Sequence, residues 1–564
     1  MGMLVKTIIR MKGSGLARKL DRAAERPHAA QNAFLQRLVK ANADTAFGKD
    51  HGFASIHTEA DFRRQVPIRD YEGLRPYVNR ITAGERAVLT AAAPRMLNMT
   101  SGTTGEPKYI PVTPESMRLA SGFSLEWIYR ALQDHPGFLD GAFVGIVSRA
   151  IEGYTPSGLP YGSASGMLYQ RIPGPIRSTY AVPYAVSEIK DYDRRYFVAA
   201  RLALARRVSY IGTPNPSTLI RLAETALKNP EAIVRAVRDG APGIDLPDQP
   251  QLAERLSAFM EPDPDRARVL EGVLDRTGSL LPADCWPDLK LIGCWLGGSV
   301  GVQARKLPEY YGDVPMRDLG FLASEGHFTL PNRDHTASGI LSLNGNYYEF
   351  IPEASMDDAN PPVLSSHELE SGVNYAVLLT TPGGLYRYDI HDVVQVTGFY
   401  RNAPLLAFIR KGRDMTSITG EKMHVNHLLL ALKAVRRRYD VSVVEQFRVV
   451  ASVEARRYEI YAELKGAFSR DFLENEVIPH LDRALADVNV EYAEKRRSRR
   501  LAPPCLHLMR PGWAEAEVLR AAGAGKRDTQ YKWRILSPEP AEEDAGAILN
   551  TLETEEEGQS RRGS

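Results

Sequence analysis

Apolar residues recur along this chain in two rhythms, one helical and one of the buried-strand kind. In AQNAFLQRLVKA (30–41), Phe34 repeats with Leu38 and Leu35 with Val39 four residues on, which predicts a helix. Residues 194–207 and 217–238 carry the same period, with Gly240 and Pro242 closing the second. Short apolar runs such as GAFVGIVS (141–148) and LKLIGCWL (289–296) lie between the helices. Helices alternating with buried strands predict an α/β body with a mostly parallel sheet. From 373 to 399 the pattern changes to VNYAVLLTT, a Pro-Gly-Gly turn at 382–384, and LYRYDIHDVVQVTGF. Two adjacent antiparallel strands are expected there.

After about residue 410 a smaller unit begins. It offers the strand pair FRVVASV and RYEIYAEL around Glu454–Ala455, a helix with Leu473, Val477, Leu481 and Leu485 on one face, and a strand CLHLM at 505–509. Glu553 to Ser564 carries no apolar anchor. The expected division is therefore 1–410, 411–545, and a disordered polar tail over 546–564. The fold class expected is α/β: a large N-terminal domain and a smaller α+β C-terminal domain. No internal repeat is present.

Composition narrows the function. With 564 residues, 43% hydrophobic and 25% charged, the chain is neither a small binding module nor an intrinsically disordered one. Lys+Arg 71 against Asp+Glu 69 leaves net +2, too little field to hold nucleic acid or an anionic membrane. Small polar ligands fit better. The three cysteines, Cys285, Cys294 and Cys505, make no Cys-x-x-Cys pair and read as buried thiols of a reducing, cytoplasmic protein. The opening MGMLVKTIIRMKGSGLARKL is broken by Lys6, Arg10 and Lys12 and lacks a cleavage site of the small-x-small kind. A rival reading makes residues 1–12 a surface-lying amphipathic helix. No run reaches the roughly 18 apolar residues of a membrane helix.

The sharpest local chemistry is Thr100-Ser101-Gly102-Thr103-Thr104-Gly105-Glu106-Pro107-Lys108. Its glycines permit close backbone approach, and its hydroxyls and amides form a nest of donors suited to phosphate oxygens. The bland alternative is a Ser/Thr-rich turn without a ligand. The run lacks the Gly-Lys-Ser/Thr ending of the nucleoside-triphosphatase loop.

TSGTTGEPK is followed in order by LIGCWLGGS (291–299), DLGFLASEG (318–326), YRYDIHDVVQVTGF (386–399) and KGRDMTSITGEK (411–422). That order resembles the adenylate-forming enzymes. More narrowly, the chain resembles the Gretchen Hagen acyl-acid amido synthetase family, whose plant members conjugate hormone acids such as auxin or jasmonate to amino acids. NADTAFGKDHGF, GYTPSGLPYGSASG (153–166) and QYKWRIL are similar to further parts of that family, so the likeness runs from about 30 to about 536.

The resemblance implies a large adenylate-forming domain with mostly parallel sheets and a β-barrel-like part, capped by a mobile C-terminal domain. It implies that a carboxylic acid attacks the α-phosphate of ATP, giving an acyl-adenylate and pyrophosphate, before an amino acid amine takes the acyl group and AMP leaves. Thr100, Ser101 and Thr104 match phosphate-contacting hydroxyls, with Gly102, Thr103 and Gly105 in the same loop. Glu325, after Ser324, matches the acidic residue beside the phosphates and Mg²⁺. Gly297, Gly298 and Ser299 match the turn lining the adenine pocket, and Phe321 the ring stacked on the base. Asp392 matches the carboxylate that receives both ribose hydroxyls. The family usually has Gly before this Asp; this chain has His391, with Asp389 as a decoy or a partner. Arg413 and Asp414 fall at the interdomain hinge. Lys422 and Lys532 match two active-site lysines, although Trp533 and Arg534 follow Lys532 without the family's Pro.

Other constellations carry less. His424 and His427 share a helical face without a third metal ligand in sequence. Gly162-Ser163-Ala164-Ser165-Gly166 puts Ala where a nucleophile elbow needs Ser. The basic run 495–500 lacks interleaved aromatics and reads as a solvated helix face. The expected activity is thus an ATP- and Mg²⁺-dependent acid–amino acid ligase, a monomer by this reading, with no nucleic acid or membrane partner. An acyl-coenzyme A ligase and a catalytically idle nucleotide- or acid-binding relative are the alternatives.

Overall fold

The computed structural model describes residues 3–100, 108–298, 301–356, 358, 360–411, 415–416, 418, 423–439, 444–452, 454–466, 468–497, 501–523, 533–537, 540–541 and 544–554. The chain divides into two compact units, Met1–Phe408 and Ile409–Ser564.

The first unit is a mixed α/β body. Its parallel sheet runs in the order Ala142–Val144, Val208–Gly212, Leu291–Gly293, Met316–Arg317, every neighbouring pair parallel. The two apolar runs read as strands are thus strands, shorter than the runs themselves. Helices such as Tyr192–Leu204 and Pro216–Lys228 supply Phe197, Leu202, Leu219 and Leu222 to the core around Val208, Ile211 and Ile292. Each such side chain taken from water contributes roughly 1.5–3 kcal/mol. The helix expected over 217–238 is two helices, Pro216–Lys228 and Pro230–Asp239. Pro230 lacks an N–H for the preceding turn and instead opens the second helix, which Gly240 closes at φ +68°.

Parallel pairing is concentrated in that sheet. The β-rich part expected to be barrel-like is a seven-stranded sheet in the order Thr329–Pro331, Ser338–Leu341, Ala403–Lys411, Tyr388–Tyr400, Asn374–Thr380, Tyr347–Pro352, Leu364–Ser365. Asn374–Thr380 and Tyr388–Tyr400 pair antiparallel across the Pro-Gly-Gly turn, with a register shift between Ala376 and Leu378. A third sheet orders Lys108–Val112, Met96–Thr100, Pro160–Gly162 and Gly153–Tyr154. The N-terminal residues of the surface-helix reading belong to Met3–Glu25, which packs on Pro114–Asp134 and buries Ile9 and Leu20.

The second unit centres on five strands in the order Leu536–Ser537, Val444–Ser452, Arg457–Leu464, Cys505–Met509, Ile548–Leu552. The expected helix is present as Arg470–Phe472, a π-helical turn Leu473–Val477 and Ile478–Val488. The expectation of a disordered tail from 546 is corrected here. Ile548–Leu552 is a strand pairing antiparallel with Cys505–Met509, because Ile548 and Leu552 are apolar anchors and Leu552 is fully buried. Residues 555–564 lie outside the described residues. All three cysteines are free and buried.

Leu552→Ala is therefore expected to destabilise the second unit by about 2–5 kcal/mol, the range for a truncated core leucine. Denaturant unfolding checks it; a neutral result would return this stretch to a loose tail.

Candidate active site

In open sheets with parallel strands, ligand sites form beyond the carboxyl ends of the strands. Here those ends release two of the motif segments: the Leu291–Gly293 strand runs into Cys294–Gly298, and the Met316–Arg317 strand into Asp318–Glu325. Asp318 ties the two together. Its carboxylate accepts the Leu296 N–H at 2.7 Å and the Gly320 N–H at 2.6 Å, while Trp295 Nε1 donates to Gly320 O at 3.0 Å. Trp127 Nε1, on the Pro114–Asp134 helix, donates to Asp318 O at 2.8 Å. Burial pushes the Asp318 carboxyl up to about 7, with the two backbone donors opposing the rise.

Within this clamp Gly298 has φ +59°, a left-handed conformation that a side chain disfavours. A Cβ on Gly297 would come within 2.8 Å of the Ala337 Cβ. Phe321 lies at 8% exposure, stacked on Phe328 at 4.1 Å with Phe408 at 5.2 Å. The ring is a wall of the core rather than a free-standing platform. Ser324 is half-buried, and its carbonyl accepts from Asn98 Nδ2 at 3.0 Å.

That bond joins the clamp to the sheet bearing the hydroxyl run. Thr100 and Lys108 are cross-strand partners, so the two ends of the run are held together. The Lys108 ammonium lies 5.6 Å over the Tyr71 ring, and Tyr71 Oη receives the Tyr109 N–H at 2.7 Å.

Glu325 and Asp392 meet at Tyr388. Tyr388 Oη donates to Glu325 Oε1 at 3.5 Å, and Tyr388 is 1% exposed. Burial, reinforced by the Glu325, Asp392 and Asp389 carboxylates, holds its phenol well above the ordinary range, so it stays a donor. Asp392, 2% exposed, lies on the same strand four residues on. The start of that strand is pinned by Arg387. Its Nε donates to Glu349 Oε2 at 2.9 Å, and its Nη1 to the Arg63 and Val66 carbonyls at 3.0 and 2.8 Å. Arg63 Nε donates to the other Glu349 oxygen at 3.1 Å.

His391 resolves the departure from the family pattern. It has φ +57°, the conformation a glycine takes freely, and its backbone N–H donates to Asp389 Oδ1 at 2.8 Å while Nδ1 lies 3.2 Å from Oδ2. Asp389 is its partner, and the bulge keeps Asp392 buried.

Ser101, Gly102, Thr103, Thr104, Gly105, Ser299, Arg413, Asp414, Lys422 and Lys532 lie outside the described residues, as does the Thr100 side chain. Among the described residues no three of His, Cys, Asp or Glu gather as a metal cage. His424 and His427 form an edge-on ring pair at 5.1 Å. Ser163 caps the helix Ala164–Gln170 and bonds Ser165. A small apolar cavity lies in the second unit among Leu432, Phe447, Ile460, Phe472 and Leu481, and no candidate residue lines it. Asn98, Asp318, Tyr388 and the Glu349–Arg387 pair escaped the sequence reading. Only Asp318 had a readable signal, as the first polar residue after a strand-like PMR.

The GH3 family N-terminal domain matches residues 16–316, its central domain 339–411 and its C-terminal domain 426–541. The chain belongs to the GH3 family. A GH3 relative from Nicotiana attenuata, jasmonoyl–L-amino acid synthetase JAR4, is 24% identical over 524 residues, 89% of this chain and 90% of its own. The solved AtGH3.15 acyl acid amido synthetase in complex with 2,4-DB superposes with TM-score 0.82 at 21% identity, covering 96% of this chain and 98% of its own. A 2-hydroxyisobutyryl-CoA ligase in the postadenylation state with 2-HIB-AMP superposes at 0.51 and 14% identity, covering 92% and 90%. These likenesses fix the fold as that of GH3 and adenylate-forming enzymes.

Two outcomes follow for this GH3 protein. The Asp318 carboxyl binds its proton more tightly when folded, so its contribution to stability declines as pH rises from about 4 to about 7 and is flat above. Asp318→Asn removes that decline, so between pH 5 and pH 8 the variant should gain on the parent by a few kcal/mol in urea unfolding, on the order the shift implies. At position 391, His391→Gly should stay within about 1 kcal/mol of the parent, left-handed relief offsetting unfolded-state entropy. His391→Val should lose about 1–2 kcal/mol or more in the same measurement.

Proposed function

We propose that this GH3 protein is an ATP-dependent acyl-acid amido synthetase. It adenylates a carboxylic acid with release of pyrophosphate, then passes the acyl group to an amino acid amine with release of AMP. The observation that carries the reading is the meeting of Glu325 and Asp392 at the buried Tyr388, in a chain matched by GH3 domains along most of its length.

The donor set suits the substrates. Asp392, a buried acceptor, is suited to the ribose hydroxyls, and Gly297–Gly298 allow a flat base to approach the backbone. The negative charge that grows on phosphate oxygens calls for positioned donors, which the hydroxyl run and Lys422 and Lys532 supply in this reading. Mg²⁺ fits here as well. A phosphate-bound Mg²⁺ takes only one or two protein carboxylates, and Glu325 would hold it, the cation neutralising charge on the phosphates. Residues 1–410 would bind nucleotide and acid, and 411–545 would act as the mobile cap. The near-neutral charge argues against a nucleic-acid partner, the buried thiols suit a reducing cytoplasm, and the protein is taken as a monomer in this reading; among the described residues no helix is long and apolar enough to cross a membrane.

Pyrophosphate exchange into ATP across aryl, indolyl and fatty acids tests the reading. Exchange is expected with at least one acid, falling about 100-fold or more in Asp392→Ala, the scale of a lost electrostatic contact. Amino acid adducts should then appear by mass spectrometry. No exchange with any acid, or a coenzyme A thioester as product, would overturn it.

A further inference from the structure

The candidate site contains a buried acceptor that the roles above leave unused. Asn98, on the Met96–Thr100 strand, is 6% exposed. Its Nδ2 donates to the Ser324 carbonyl at 3.0 Å. A carbonyl only accepts, so this bond fixes which way the amide faces. The Asn98 Oδ1 is thereby turned away from Ser324, and it has no hydrogen-bond partner among the described residues. Its strand neighbours give it no side-chain group to bond: Ile110 on one side is apolar, and Gly162 on the other has no side chain.

Place and chemistry narrow what Asn98 Oδ1 can meet. It stands two residues before Thr100, where the hydroxyl run begins, and it holds the residue next to Glu325. That is the phosphate end of the site, where the reacting carbonyl carbon must lie one bond from an α-phosphate oxygen. The triphosphate and the substrate carboxylate present acceptors only, so neither pairs with Oδ1. The hydroxyls of ribose and the amino group of adenine are donors, but their expected places are Asp392 and the Gly297–Gly298 turn. The remaining donor in the reaction is the N–H of the incoming amine.

We infer that Asn98 is an amine-binding residue, its Oδ1 accepting a hydrogen bond from the α-amine of the amino acid acceptor; the inference rests on the amido synthetase reading. In the transfer step the nitrogen lone pair forms the N–C bond, the C–O bond to AMP breaks with its electrons leaving on AMP, and one proton leaves nitrogen for solvent. An amide oxygen is too weak a base to take that proton. Asn98 therefore orients the amine toward the carbonyl carbon and holds no charge of its own.

The test separates the two half-reactions with the acid that gives the fastest pyrophosphate exchange, and with L-alanine, L-aspartate and L-leucine as acceptors. Asn98→Leu keeps the branched shape and removes both the acceptor and the donor to Ser324; Asn98→Asp keeps an acceptor and removes only that donor. Thermal unfolding reports whether each variant is folded. Asn98→Leu should keep exchange, and trapping of the acyl-adenylate by hydroxylamine at high concentration, within about threefold of the parent, while KM for the amino acid rises tenfold or more. Asn98→Asp should hold KM for the amino acid within about threefold. Equal losses in exchange and amide formation in Asn98→Leu would make the residue a strut for Ser324 and overturn the assignment, as would an unchanged KM. An unfolded Asn98→Leu leaves the decision to Asn98→Asp, whose KM rising as far as tenfold with exchange retained would overturn it. A parent without exchange for any acid removes the function reading and this assignment together, whereas failure at Asn98 with an active parent removes only the assignment.

Discussion

A carboxylate removed from water must be met by charge or by hydrogen-bond donors, and the geometry of the candidate site depends on one case met by charge. Glu349 is 1% exposed, and its two oxygens are taken by Arg63 and Arg387. An isolated charge at that depth costs far more than it contributes, so the three groups stand or fall as a set. Arg387 directs its Nη1 to the carbonyls of Arg63 and Val66. A segment near the N-terminus is thus locked to the first turn of the Tyr388–Tyr400 strand. The backbone bonds between Arg69 and its partners Arg387 and Asp389 repeat the lock on either side of Tyr388. Tyr388 and Asp392 inherit their positions from this ion cluster.

A second constraint works from the other side of the site. Asp318 is a carboxylate whose partners are backbone amides, and it closes the two loops that leave the parallel sheet. Through Ser324 and Asn98 this closure continues into the strand that begins the hydroxyl run. Three sheets of different topology therefore contribute to one small region by hydrogen bonds to backbone, which a change of side chain elsewhere disturbs little.

Much of the fold was legible because periodicity reports burial. The helix at 30–41, the hairpin around Pro382–Gly384 and the strand pair ending at Leu464 each declare themselves by their apolar spacing. The split at Asn229–Pro230 was less visible, since both helices keep one apolar face in phase. Ile548–Leu552 was hidden by acidic neighbours: ILNTL is short, and only its pairing with Cys505–Met509 makes it a strand. Of the residues named by linear motifs, Glu325 bonds Tyr388 and Asp392 lies close enough to act on its phenol. Tyr388, Asp318 and Asn98 were not legible, because their meaning comes from what they face across a sheet, and no local spacing encodes that.

The left-handed turn at His391 bears on which pairs of residues this strand can tolerate. A glycine before Asp392 would need no helper, because its backbone reaches φ +57° unaided. The histidine is held there by the acid two residues earlier, through both its backbone and its ring. Positions 389 and 391 are thereby physically coupled: loss of the acid would leave the histidine's left-handed backbone unheld, whereas a glycine at 391 would make the acid dispensable there.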